Sequence, residues 1–307
     1  MTRRRVLAVA GAGALVVALA TALFLLRDRP APLPKDLTGT LYFVSDRGGA
    51  DAIYARRLPK GETHRLAVTS EAVADPAVAP DGSRLAFSMG GRIGLLTLPR
   101  GEMHFATLGV DHRDAQPSWR PDGKALVVSS RAQGADAADL VLLDLDTPDG
   151  RPTRTLLTST RGLDETSPRF APSGHHLVFV REDGVFRLDL ANGRTQRITM
   201  GFRRYHEPRF LPSGRLLVLW TEGKSYGFEA MDADGKNRET LGQGSIFYRS
   251  FSPSLDGRYL AATFAFDLAF RPRDALLRKA SELRLLDAAG GLVSVLEGAA
   301  HSPVWGP

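Results

Sequence analysis

Eight acidic or imidazole residues stand out as able to do chemistry together: Asp75, His112, Asp114, Asp164, Glu165, His206, Glu207 and His301. All precede or open short Pro-containing apolar stretches that recur along the chain. Carboxylates and imidazoles brought from separate segments to one place supply oxygen and nitrogen ligands, so such a set suits a cation, a sugar or a peptide terminus. The competing reading is a water-filled polar channel in which the same groups hydrogen-bond from one segment to the next. Covalent catalysis has little to draw on. The chain has no cysteine, no Gly-x-Ser-x-Gly elbow, no His-Glu-x-x-His and no phosphate-binding glycine loop. His206-Glu207 lacks a second histidine, and the Asp-rich stretches at Asp144–Gly150 and Asp232–Gly235 lack the downstream acid of a calcium loop, so both read as turns. No cofactor is implied.

The elements that must position these residues come from a repeat. It runs Pro76–Gly82, Pro117–Gly123, Pro168–Gly174 and Pro208–Gly214, with a degenerate copy at Phe251–Gly257 and a truncated one at Pro303–Pro307. The first four prolines are spaced by 41, 51 and 40 residues, close to the roughly 40–45 residues of a four-stranded propeller blade. Each Pro-Asp-Gly or Pro-Ser-Gly is a tight turn, since proline presets φ and glycine accepts a positive one. A period-two apolar strand follows each turn, such as Leu85–Phe87 or Leu177–Val180, and then a third and a fourth strand. Ala132–Asp139 and Phe266–Ser281 read as hairpin extensions. Trp119, Phe170, Phe210 and Trp305 share one repeat position and so read as packing residues between blades.

The truncated copy at the end of the chain lacks what the start supplies. Gly39–Ser45, Ala52–Ala55 and His64–Ala67 give the second, third and fourth strands of a blade with no first strand. The expected fold is therefore all-β, a six-bladed β-propeller of four-stranded antiparallel blades over 36–307. The C-terminal strand joins the N-terminal blade and closes the ring, leaving only short protected edges.

In these repeats the chain resembles the TolB-type propeller family, whose signature is Pro-x-Trp-Ser-Pro-Asp-Gly. Trp119, Pro121, Asp122 and Gly123 match it most closely, and Asp232-Ala-Asp234-Gly235 matches a later turn of the same family. The resemblance implies a ring whose central channel and loop-bearing faces bind proteins or peptides. The α/β domain that precedes the propeller in that family has no counterpart in this sequence, and an apolar segment stands in its place.

That segment, Val6–Leu26, is uncharged and follows Arg3, Arg4 and Arg5. As a helix it reaches about 31 Å, enough for a hydrocarbon core of roughly 30 Å. The arginine cluster favours a cytoplasmic N-terminus and an exported remainder. Residues 1–29 thus read as one transmembrane anchor and residues 30–35 as a proline-rich tether. A cleaved export signal, with Ala18-Leu19-Ala20 as the small-x-small site, is the alternative. Arg3, Arg4, Arg5, Arg27 and Arg29 against Asp28 hold +4 of the formal net charge of +6. Little positive charge is left for residues 30–307, which argues against a nucleic-acid partner. The basic residues Arg203, Arg204, Arg209 and Arg215 read as solvated loop and turn surface.

The leading expectation is a monomeric, non-enzymatic scaffold, tethered through residues 6–26 with its propeller in the periplasm or outside the cell, binding a protein partner of the cell envelope. The alternative is a small-ligand or metal-binding propeller, a hydrolase or lactonase, with its site at the channel mouth.

Overall fold

The strands that follow the repeat turns are apolar on both sides, and the reason lies in how the blades stack. In the computed structural model, which describes residues 31–69, 71–99, 101–244, 248–265 and 281–307, every regular element among the described residues is a β-strand. They form six four-stranded antiparallel sheets. The expected period-two alternation is replaced by continuous burial: Leu126, Val127 and Val128 are all fully buried, as are Leu85, Ala86 and Phe87. Each second strand lies within a blade packed between two others, so both faces are covered. The five main apolar clusters sit in the seams between blades, for example Leu85 and Phe87 with Tyr42 and Ile53, or Trp119 and Leu126 with Ile93 and Leu95.

The repeat turns have the geometry their residues require. Gly82, Gly123 and Gly174 adopt φ of +71°, +71° and +72°. The preceding Asp81 and Asp122 carboxylates accept the N–H groups of Ser83 and Lys124 at 3.0 and 2.9 Å. The Asp-rich stretches are turns of the same kind, with Asp144 and Asp234 accepting the amides of Asp146 and Lys236.

Ring closure follows the expected scheme. Ala300–Gly306 pairs antiparallel with Thr40–Ser45, Trp305 standing opposite Leu41, and the sheet continues through Ala52–Arg57 and Thr63–Val68. The Trp305 indole donates to the Thr38 carbonyl at 2.9 Å. Across the same seam Glu297, on the outermost strand of the last blade, accepts from Arg47 at 3.0 Å and Arg56 at 3.1 Å. Blades are numbered from the one closed in this way, blade 1; blades 2 to 6 then follow in chain order.

Pro34–Pro307 is one compact unit. The expected anchor over 6–26 and most of the extension at Phe266–Ser281 lie outside the described residues. Among the described residues no helix is long and apolar enough to cross a membrane.

Candidate functional site

The innermost strands of blades 2 to 6 are Val73–Val78, His112–Trp119, Glu165–Phe170, Arg204–Phe210 and Tyr248–Pro253, and that of blade 1 is Ala300–Gly306. In five of them the register slips at the residue before the motif proline. That residue takes a left-handed conformation: Asp75 at φ +52°, Gln116 at +56°, Ser167 at +50°, Glu207 at +46° and Ser302 at +51°. Proline withholds an N–H from the ladder, so a bulge forms there. A positive φ in a non-glycine residue is strained and persists only where surrounding bonds hold it.

The bonds that hold it run from blade to blade around the channel. The Ser88 hydroxyl, on the second strand of blade 2, donates to Asp75 Oδ2 of its own blade at 3.1 Å and accepts the Gln116 N–H of blade 3 at 2.9 Å. Gln116 Oε1 accepts the Ser167 N–H at 2.7 Å, and the Ser167 hydroxyl donates to Glu207 Oε1 at 3.2 Å. Thr263 accepts the Ser302 N–H at 3.1 Å. Two arginines converge on Glu207 Oε2, Arg209 at 3.0 Å and Arg169 at 3.4 Å, and Arg209 also reaches the Phe251 carbonyl of blade 6 at 3.1 Å. Arg209 was expected on the solvated surface; it turns inward because it follows the proline by one residue, as Arg169 does in blade 4. Arg169 is only 8% exposed, and its Nε has no partner.

Burial pushes the Glu207 carboxyl above its ordinary range. Arg169 opposes that push, the Asp75 charge adds to it, and the Ser167 hydroxyl pulls it back. Asp75 is also raised by burial, against the pull of Arg169, the Ser88 hydroxyl, the Gln116 amide and His301. Burial lowers Arg169 and His206 from their usual values.

A cavity of about 430 Å3 opens over this network, lined by Thr166, Ser167 and Val180 of blade 4, His206 and Glu207 of blade 5, and Tyr248 and Arg249 of blade 6. It lies on the face where each inner strand begins. There the inner strands start against the turn between the second and third strands of the blade before, as in Tyr205 N–H to Asp183 O at 3.0 Å and Glu165 N–H to Ala138 O at 2.9 Å. The chain enters the ring on the other face, where Asp36 meets Arg258 of a repeat turn.

Of the eight residues singled out in the sequence, Asp75, Glu207 and His301 belong to the channel and His206 to the cavity wall. Asp114 and Glu165 are each paired with an arginine of their own blade instead. Asp114 takes a bidentate pair from Arg154 at 2.8 and 3.0 Å. Glu165, fully buried, accepts from Arg181, Thr158 and Thr160. Asp164 bonds Arg131 and the Ala138 amide on the mouth face, and His112 stands half-buried at the head of its strand. Among the described residues no group of three or more histidine or acidic side chains could hold a metal ion. The sequence reading missed Gln116, Ser167, Arg169, Tyr248 and Arg249. For Gln116 and Ser167 the signal was present, since each directly precedes the motif proline.

Comparison with known proteins places this geometry in context. The family model described as the TolB beta propeller domain matches residues 107–307. A protein TolB homolog from Chlorobium luteolum is 32% identical over 179 residues, covering 54% of this chain and 39% of that protein. The chain thus spans about two-fifths of that relative's length. Among solved structures, TolB from Acinetobacter baumannii aligns with a TM-score of 0.72 at 19% identity, over 90% of this chain and 68% of that one. An oligogalacturonate lyase in complex with manganese aligns with a TM-score of 0.60 at 13% identity, over 86% and 76%. At these identities the structures share the fold alone.

Proposed function

The chain belongs to the TolB β-propeller domain family, and from that premise we propose that it is a non-enzymatic interaction scaffold of the cell envelope that receives a partner protein at the channel mouth. The observation that carries this reading is the mouth cavity itself, set over charged groups that are bonded to one another. Glu207, the acidic residue on the cavity wall, is engaged by Ser167, Arg169 and Arg209. A base poised for proton abstraction needs a free lone pair aimed at its substrate; this carboxylate is instead fixed as part of a wall. The mouth face carries exposed apolar loop residues, Met200 and Phe202 before blade 5, which contributes to the cavity wall, and Leu108 and Val110 farther round the ring before blade 3. Exposed apolar side chains rimmed by polar ones favour a protein partner over a small solute. Residues 6–26 act in this reading as the membrane anchor, residues 30–35 as the tether and 36–307 as the exported propeller.

The test is site-specific photo-cross-linking in intact cells, with the cross-linker placed at Phe202 on the mouth face or at Leu255 on the repeat-turn face, both exposed. A discrete adduct from Phe202 and none from Leu255 is expected. Adducts from Leu255 alone would sink the mouth reading, and absence of adducts from both would sink the scaffold.

A further inference from the structure

The charges at the channel do not balance, and the imbalance is on the side of the cavity. Arg169 and Arg209 pair with Glu207, the Arg169 charge also acts on Asp75, and Arg249 lines the same cavity as Glu207. Glu207 is fully used by the two inner arginines. Arg249 is exposed at the cavity lip and has no ion pair or hydrogen bond among the described residues. The other charged groups of this sector offset one another: Arg204 meets Asp183 at 3.5 Å, Arg203 meets Glu229 at 3.1 Å and Glu222 at 3.5 Å, and Glu182 and Lys224, exposed in the hairpin turns of blades 4 and 5, are of opposite sign. His206, on the cavity wall, is held towards its neutral form by burial and the Arg204 charge, against the pull of Asp183. His301 stands at the same repeat position one blade beyond Arg249, and its charge acts on Asp75. Arg169, which is not among the residues lining the cavity, keeps a buried Nε with no acceptor.

A cavity with a spare guanidinium at its lip and an imidazole on its wall, whose one carboxylate is already engaged by two arginines, is short of one acceptor with negative charge. Val180 and Tyr248 add apolar wall, which suits the methylene of a side chain better than a free inorganic ion. Met200 and Phe202, 73% and 97% exposed, lie in the loop leading into the strand that supplies His206 and Glu207, and offer an anchor for flanking apolar residues. We propose that this cavity recognises an acidic side chain of the partner polypeptide, with Arg249 as the residue that selects for its charge. The proposal rests on the scaffold reading above and adds the chemistry of what the scaffold takes.

The guanidinium fork engages a carboxylate through two donors, a match an amide cannot reproduce. The difference should appear as about a tenfold preference, the size expected when a hydrogen bond to a charged group is lost. The full chain in detergent micelles is titrated by calorimetry with three doubly blocked pentapeptides, acetyl-Gly-Leu-Asp-Leu-Gly-amide and its Asn and Lys counterparts. The Asp peptide is expected to bind tightest, Arg249→Gln to bring Asp and Asn peptides level, and Arg161→Gln, an exposed arginine on the same face but outside the cavity, to leave the preference intact. Equal melting temperatures for the two variants confirm that folding is unchanged. Equal binding of Asp and Asn by the parent protein overturns the proposal, as does a preference for Lys, which would make Glu207 the recognised group. Loss of the preference in Arg161→Gln would reduce it to diffuse surface charge. Vesicles of phosphatidylglycerol that bind the parent but not Arg249→Gln, with no peptide discrimination, would reassign the site to a lipid headgroup. Cross-linking from Phe202 reports separately on the scaffold, so either reading can fail without the other.

Discussion

Two pairs of carboxylates sit in the inner strands only two repeat positions apart, and they have opposite lives. Asp114 and Glu165 are buried to 1% and 0% exposure and are paired with Arg154 and Arg181 of their own blades, Glu165 also with Thr158 and Thr160 of the segment leading in from blade 3. Asp75 and Glu207 sit at the bulge in left-handed backbone, meet the Gln116 amide of blade 3 and the Ser167 hydroxyl of blade 4 respectively, and are pushed up in pKa by burial. Each of the first pair is stitched to an arginine of its own blade, and the second pair takes part in the chain of bonds that runs from blade to blade around the channel. Residue type does not separate them. What separates them is the bulge at the proline, which re-aims one residue per strand into the channel.

The largest effect expected from this contrast is in the first pair. Glu165→Ala strands a largely buried Arg181 and two threonine hydroxyls, and should lower stability by about 3 kcal/mol in equilibrium denaturation. A loss comparable to an ordinary surface substitution would show that Glu165 is no stitch.

The second pair should announce itself through pH. Asp75 and Glu207 have folded-state pKa values raised above the ordinary 3.8 and 4.5. Linkage then makes their contribution fully present below those values and lost as pH rises through the raised ones. Denaturant midpoints of the double variant Asp75→Asn, Glu207→Gln should therefore fall less than those of the parent protein between about pH 4 and 7. Parallel curves would mean that the channel carboxylates titrate as solvated groups do.

A smaller loss is expected at the hinge between bulges. Ser88→Ala leaves the Gln116 amide and Asp75 Oδ2 without their shared partner, at about 1 kcal/mol by thermal or chemical unfolding. The smallest concerns the mouth loops: Phe202→Ser should change stability by less than about 0.5 kcal/mol while abolishing capture of the partner by a cross-linker placed at the neighbouring exposed Met200. A destabilised Phe202→Ser protein would place that side chain in the fold rather than on the interface.

The architecture was legible in the sequence for a physical reason. A propeller blade is local: its four strands are consecutive, its turns demand proline and glycine at fixed places, and its ring closes only if the chain's two ends complement one another. All of these leave marks that one sequence carries, and Trp305 opposite Leu41 is the closure those marks required. The fine burial pattern was not legible, because whether a strand such as Leu126–Val128 hides one face or two depends on blades remote in sequence. The site was half legible. The residue types that gather at the channel and its mouth, acidic groups and histidines, could be named from the chain, and four of the eight stand there. Only the tertiary structure decided that Asp114 and Glu165 pair with arginines of their own blades, that Arg169 and Arg209 turn inward, and that Arg249 meets no counter-ion among the described residues. Side-chain direction at a bulge is set by the backbone's local slip, and charge balance in a channel is set by six blades at once, so neither is written at any one position of the sequence.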